Sequence, residues 1–381
     1  MKRVFVICCS VLIAGLSFYF RKISEKPAVS VSVFSEFTKE MKHSAVNFDR
    51  LGDFEKDDFL QALPALRNSC SVLKKKYRHW KTVCQKLDAP FKSNEELKSF
   101  LKGNFQPFLI NKARTGLFTG YYEPEISGSF VQTKEYNTPV YGLPENIVRI
   151  DLGKFNPKFK GEVLFGKREG KEIVPYLTRE EIEKAGAKIP AKIIAWVKEP
   201  ADLFILQIQG SGILKLPDGK RTGIGYDGNN GHVFTGIGSV MAKKGLLKKG
   251  VYTMSEIREW LIANPGQARE LMRENKRYIF FKKLGRPGAV GSLGVPLTAG
   301  RSMAVDPAYI PLGSFLWLQA DHNGMSLNRL MTAQDTGSAI KGAVRGDFFW
   351  GTGKDALKEA GRMRSQGIYF LLLPKRSDQN E

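Results

Sequence analysis

Gln334-Asp335-Thr336-Gly337-Ser338-Ala339-Ile340-Lys341-Gly342-Ala343-Val344-Arg345-Gly346-Asp347-Phe348-Phe349-Trp350-Gly351-Thr352-Gly353 is the stretch on which the reading of this chain turns. It gathers two aspartates, five glycines and a Phe-Phe-Trp run within twenty residues. Glycine permits sharp turns, and aromatic rings can strip water from a carboxyl group or stack on a flat ligand. The same letters also describe two strands joined by glycine turns, with Phe348 and Trp350 in a core. Taken alone, the stretch does not rank Asp347 over Asp335.

The surroundings are β-rich. Short strands are expected at 295–297, 302–305, 315–318, 329–333 and 368–373. Upstream, strands are expected at 139–141, 163–165 and 193–197, separated by Pro, Gly, Asn and Asp clusters. The run Leu203-Phe204-Ile205-Leu206-Gln207-Ile208-Gln209 reads as a buried strand entering the turn Gly210-Ser211-Gly212. A further strand at 214–216 precedes the hairpin signal Asp218-Gly219. Helices are expected at 178–185, where Thr178 and Glu181 form a capping box, at 255–263 behind Ser255, and again after Pro265.

Nearer the N-terminus, Leu60, Leu63, Leu66, Cys70, Leu73, Tyr77 and Trp80 recur at helical spacing over 53–87. Asn94 is the expected N-cap of a helix over 95–101. The fold class is therefore mainly β with N-terminal helices. Many short strands with Gly and Pro turns favour barrel-like β domains over a doubly wound sheet.

The 381 residues are too many for one average core, so two domains are expected. With 59 Lys and Arg against 38 Asp and Glu, the formal net charge is +21, which points to an anionic partner such as an acidic wall polymer, anionic lipid or nucleic acid. No basic tract interleaved with stacking aromatics supports a nucleic-acid module. Lys154, Lys158, Lys160, Lys167, Arg168 and Lys171 form the densest basic patch.

Lys2 and Arg3 precede an uncharged apolar run from Val4 to Phe20, closed by Arg21 and Lys22. This reads as an export signal over 1–22, either cleaved or retained as a membrane anchor, followed by a polar linker over 23–50 with a short strand at 29–34. No cysteine follows the run to carry a lipid. Cys70 and Cys84 invite a disulfide in an exported chain. A straight helix would hold them roughly 21 Å apart, so the bond requires the chain to turn back near residues 74–81. The four scattered histidines and the absence of CxxC or HExxH indicate no metal and no cofactor.

Six segments in order carry a resemblance. They are Leu51-Gly52-Asp53 with Ala65-Leu66 and Ser69-Cys70; Phe118-Thr119-Gly120-Tyr121-Tyr122-Glu123-Pro124; Phe204 to Gly212; Gly225-Tyr226 with Asn230-Gly231-His232; Pro296 to Pro307; and Asp335 to Gly353. Together they resemble the MltA family of lytic transglycosylases, over roughly residues 50–375. The resemblance implies a double-psi β-barrel from 51–123 and 285–375, a second β domain inserted at 124–284, and a groove between them for a glycan strand. It maps three family aspartates onto Asp306, Asp335 and Asp347, with Asp347 as the acid.

Such enzymes cut the β-1,4 bond from N-acetylmuramic acid to N-acetylglucosamine without water. One group protonates the leaving oxygen and then takes the proton of the sugar's own C6 hydroxyl, which closes on C1. Because the nucleophile belongs to the substrate, one acid/base residue suffices, whereas hydrolysis ordinarily uses two carboxylates. An acid working near neutrality needs a raised pKa, for which Phe348, Phe349 and Trp350 are the candidate desolvating groups. Lys341 or Arg345, if close, would oppose the rise. Asp306, before Pro307, is read as a turn former and Asp335 as a mainly structural turn acceptor that also borders the substrate.

Thr119, Gln209 and Ser211 supply hydroxyls and an amide for sugar groups, and Tyr121, Tyr122 and Trp350 offer faces to stack on. His232 is read as a turn hydrogen-bonder. The expected partner is the peptidoglycan glycan strand, with cell-wall assembly proteins as further partners and the membrane reached only through the N-terminal segment. The alternative is a non-catalytic peptidoglycan-binding barrel. Asp335-Thr336-Gly337 also matches an aspartic-protease signature, but that chemistry needs two such motifs and the chain holds one.

Overall fold

A computed structural model describes residues 43–110, 115–159, 161–247, 253–285 and 288–375. The apolar run at 4–20 and the strand expected at 29–34 lie outside the described residues. Strand β1 (His43–Ala45) leads to three helices, α1 (Leu63–Lys76), α2 (Arg78–Leu87) and α3 (Asn94–Asn104), then to β2 (Phe105–Ile110) and β3 (Gly116–Glu123). A middle section follows with β4 (Glu125–Ser129), β5 (Thr138–Tyr141), β6 (Ile147–Asp151), β7 (Val163–Glu169), β8 (Glu172–Pro175), α4 (Arg179–Ala185), β9 (Ile193–Val197), α5 (Pro200–Gln209), β10 (Ser211–Lys215) and β11 (Arg221–Asn229). It ends with α6 (Ile237–Lys243), α7 (Met254–Ala263), α8 (Pro265–Arg273) and β12 (Ile279–Leu284). The last section holds β13 (Ser302–Val305), β14 (Phe315–His322), β15 (Met325–Ser326), β16 (Arg329–Asp335), β17 (Arg345–Thr352), α9 (Gly353–Arg362) and β18 (Arg364–Pro374).

Strands β18, β3, β17, β13, β16 and β14 pair in that order, and β14 pairs back onto β18, so these strands close into a barrel. The parallel contacts β17–β3 and β13–β16 join strands far apart in sequence. Together with the inserted second sheet, this is the expected architecture of a double-psi barrel plus a second β domain. The continuous apolar runs of β14 and β18 follow from burial on both faces. Phe315, Trp317, Phe370 and Leu372 pack under the N-terminal helices, while Leu316, Leu318, Tyr369, Leu371 and Leu373 fill the barrel with Met303, Met331 and Phe348.

A second sheet runs β12-β11-β10-β4-β9-β5, and a third runs β6-β7-β8. All their strands fall between Glu125 and Leu284. We propose that 124–284 is the inserted domain and that 51–123 with 285–375 forms the barrel domain.

The cysteine question resolves at Tyr77. Its extended backbone (φ −132°, ψ 121°) ends α1 and lets α2 fold back. Leu66, Cys70 and Leu73 then share one core with Trp80, Val83, Cys84 and Leu87. The Cα atoms of Cys70 and Cys84 come within 5.3 Å and the disulfide forms. Closing so short a loop in the unfolded chain is worth about 3 kcal/mol. The double variant Cys70→Ser, Cys84→Ser is therefore expected to lose about that much stability in urea unfolding. An unchanged midpoint would mean that the bridge stabilises nothing.

Several expected elements differ. The run at 203–209 is the helix α5, not a strand. Pro200 sits in its first turn, and Gly210 closes it in the left-handed region at φ 82°. The run looked aperiodic because the helix is covered on both sides. Leu203 and Leu206 face the six-stranded sheet core, while Ala201 and Phe204 face α7 and α8. Residues 295–297 form no strand, only a bridge between Val290 and Pro296. The cap of α3 is Ser93, whose hydroxyl accepts from the Glu96 amide, while Asn94 accepts from the Leu60 amide at 2.8 Å. The cap of α7 is Thr253, in a capping box with Glu256, rather than Ser255.

Candidate functional site

Thr119, Tyr121, Asp335 and Asp347 meet where β3, β17, β13 and β16 lie side by side. Register pairs Asp347 with Thr119 and Phe349 with Tyr121 across β17 and β3. On the other flank, Ala304 of β13 lies opposite both Asp347 and Asp335. The two aspartates thus stand one strand either side of Ala304, about 10 Å apart at Cα.

Asp347 accepts a hydrogen bond from the Thr119 hydroxyl at 2.6 Å. That hydroxyl in turn accepts from the Arg345 guanidinium at 2.9 Å. Burial pushes the Asp347 carboxyl up to about 6, and the neighbouring Asp335 adds to the rise, against the lowering by Thr119 and Arg345. Arg345 is therefore the opposing cation foreseen from sequence. Lys341 is not: its ammonium lies 4.0 Å from Asp306. Phe349 contributes to the apolar surroundings, its ring 5.2 Å from that of Tyr121.

Asp335 is held by three donors on one oxygen: the Ser292 amide at 2.9 Å, the Ser292 hydroxyl at 2.8 Å and the Thr336 amide at 2.9 Å. Its other oxygen accepts from the Tyr121 hydroxyl at 3.0 Å. Burial raises its pKa, and these donors pull it back. Tyr121 is held well above the usual tyrosine range by burial and then by Asp335 and Asp347, so its phenol stays a donor.

Other sequence candidates lie elsewhere. Asp306 caps a turn, accepting from the Ala308 amide at 3.1 Å and the Gly342 amide at 2.8 Å. Gln209 ends α5, and its side-chain oxygen accepts from the Tyr122 amide at 3.3 Å. Gln209 lines a cavity of about 260 Å³ with Gly120, Tyr122 and Phe234. Ser211 follows the Gly210 turn, half-buried at the start of β10. Both residues belong to the section that carries the second sheet. Trp350 is not brought to the carboxylates. Its ring packs 4.7 Å from Phe348 and 5.2 Å from His322, on the side of β17 opposite Asp347 and Phe349. Tyr122 is buried against Ala356 and Ala360 of α9. His232 bonds the Tyr176 carbonyl at 2.8 Å, tying the loop after β11 to the one after β8 rather than serving its own turn. Ser292 was not foreseen: it lies in an irregular stretch 43 residues from its partner Asp335. Among the described residues, no cluster of His, Cys, Asp and Glu could hold a metal ion.

Comparison with known proteins places this geometry. The family model described as "MltA specific insert domain" matches residues 117–282, and that described as "3D domain" matches 301–373. The crystal structure of MltA from Neisseria gonorrhoeae (monoclinic form) is 34% identical, with a TM-score of 0.77, over 88% of this chain and 93% of that one. The chain belongs to the MltA family. A crystal structure of Escherichia coli MltA with bound chitohexaose is 26% identical, with a TM-score of 0.66, over 90% of this chain and 97% of that one. The membrane-bound lytic murein transglycosylase A of Escherichia coli K12 is 31% identical over 67% of this chain. That match spans 65% of the relative's length. In this member of the MltA family, two acidic side chains with raised pKa values stand two strands apart on the barrel.

Proposed function

We propose that this protein is a peptidoglycan lytic transglycosylase that cleaves the β-1,4 bond between N-acetylmuramic acid and N-acetylglucosamine and leaves 1,6-anhydro ends. Asp347 serves as the single general acid/base. The observation that carries the reading is the Asp347 carboxyl held by the Thr119 hydroxyl at 2.6 Å in a chain of the MltA family, a position in which burial pushes its pKa up to about 6. An acid raised this far is still partly protonated near neutrality, so it can donate to the leaving oxygen. The carboxylate formed can then remove the C6 hydroxyl proton. Asp335, fixed by Ser292, Thr336 and Tyr121, repels a charge on Asp347 and so favours its protonated form. Tyr121 presents a donor beside both carboxyls. Thr119, Gln209 and Ser211 are assigned to sugar hydroxyl and N-acetyl groups, which fits the chitohexaose bound by the Escherichia coli relative. A net charge of +21 suits an enzyme working against the anionic wall of the cell envelope.

Mass spectrometry of peptidoglycan after digestion tests the chemistry. Anhydro-ended fragments are expected. Reducing ends would point to a hydrolase, and wall binding without products would favour the non-catalytic reading.

The pH profile follows from the same carboxyl. Its proton is required at the start of the cycle, so kcat/KM should be level below pH about 6 and fall tenfold per pH unit above it. Thr119→Val and Arg345→Met each remove a group that favours the carboxylate. Both variants should move the falling limb to higher pH, whereas a merely structural loss would lower the plateau and leave the limb in place.

A further inference from the structure

The small sheet β6-β7-β8 has two unlike faces. Phe165 lies on the inner one, where a Cβ added at Gly231 would meet the Phe165 backbone at 2.7 Å. Register puts Ile150 opposite Leu164, and Ile173 opposite Arg168, on the other face. That face is open: Leu164 is 53% exposed and Ile173 46%. The connection from β6 to β7 adds two more exposed rings, Phe155 at 79% and Phe159 at 38%. Cations are interspersed with these groups along the segment. Lys154, Lys158, Arg168 and Lys171 are all exposed, and residues 147–175 hold seven Lys and Arg against four Asp and Glu.

Leaving large apolar side chains in water forgoes the free energy of burying them, so a cluster of such residues is a cost unless something covers it. We infer that this face docks on the surface of an anionic phospholipid bilayer. Aromatic and aliphatic side chains can enter the interfacial layer while flexible lysines reach lipid phosphates. Apolar groups interspersed with long cationic stems suit a fluid headgroup layer, where no fixed partner geometry is required.

The rest of the chain brings such a surface within reach. Its sequence holds the uncharged apolar run from Val4 to Phe20, and residues 21–42 separate that run from β1. Twenty-two residues span at most about 75 Å. A contact too weak to hold the protein alone gains from a tether of this length. The inference is independent of the catalytic assignment.

The test is hydrogen exchange by mass spectrometry on the full chain. Measurements are made in buffer at two protein concentrations, with isolated peptidoglycan, with phosphatidylcholine vesicles, and with vesicles rich in phosphatidylglycerol. Amides at 152–175 should slow by roughly tenfold or more with the anionic vesicles, and lose that protection in high salt. The variants Phe155→Ser with Leu164→Ser, and Lys154→Glu with Lys158→Glu, should lose it too. Because these side chains are exposed, their melting temperatures should match wild type. Equal protection on both vesicle types, or none on either, would overturn the inference. So would protection that rises with protein concentration in buffer, which would mean a second copy, or protection given only by isolated peptidoglycan.

Discussion

Asp347→Asn should lower the yield of anhydro-ended fragments by about 10²–10⁴-fold, the usual loss when a positioned general acid is removed. The same variant should melt at a higher temperature than wild type at pH 7.5. The second effect follows from the first by linkage. The unfolded carboxyl titrates near 3.8 and the folded one near 6. Between these values the native state binds the extra proton, so stability is lost as pH rises through that window. At pH 7.5 the folded protein carries a charge that burial disfavours, at a cost of about 2–3 kcal/mol. Asparagine keeps the shape and an oxygen to accept from Thr119, but it removes the charge. The gain should shrink to a small remainder at pH 4, where the wild-type carboxyl is protonated in the folded chain and about half protonated in the unfolded one. Calorimetry at the two pH values, beside product analysis, checks both effects. Full activity in the variant would transfer the acid role to Asp335. A lower melting point at pH 7.5 would mean that Arg345 and Thr119 outweigh burial, and the raised pKa would be wrong in sign.

Much of this arrangement was legible in the sequence, for a physical reason. Strands β13, β14 and β18 carry continuous apolar runs because both faces are covered, and Gly or Pro residues mark many of the turns between strands. β13 spans Ser302–Val305, as expected from its letters alone. The capping box of α4 needed only Thr178 and Glu181, three residues apart. What failed was the separation of buried helix from buried strand. α5 is covered on two sides, so its apolar residues leave no polar stripe to mark a helical period. The only local signs were Pro200 and Gly210, a helix start and stop. Within the site, sequence singled out the residues that share strands but could not find Ser292, whose closeness to Asp335 is set by a long irregular segment. Trp350 was offered as a stacking face, yet alternation along β17 already sets it with Phe348 on the side away from Asp347, and its ring packs there against Phe348 and His322.

Arg301→Met should destabilise the fold by about 3–5 kcal/mol, although the residue touches neither carboxylate of the site. Its guanidinium bonds Asp57 at 2.8 Å, the Asp58 carbonyl at 2.8 Å and the Leu330 carbonyl at 3.2 Å. The same Asp57 oxygen also accepts from the Leu330 amide at 2.8 Å. The side chains of the pair are only 4% and 5% exposed. Removing the arginine leaves a buried carboxylate with one amide donor, which costs far more than a surface ion pair is worth. The double variant Arg301→Met, Asp57→Leu removes both charges and should recover most of the loss, so a double-mutant cycle in urea separates the pair from simple packing. Additive losses would show that the charges act independently. The pair also bears on the site. It ties the segment before α1 to the residue immediately preceding β13, and β13 holds Ala304 between Asp335 and Asp347. If the double variant regains stability but not activity, the ion pair fixes the strand register on which the two carboxyls depend. If both return together, the pair serves the barrel alone, and the site is set by β3, β16 and β17.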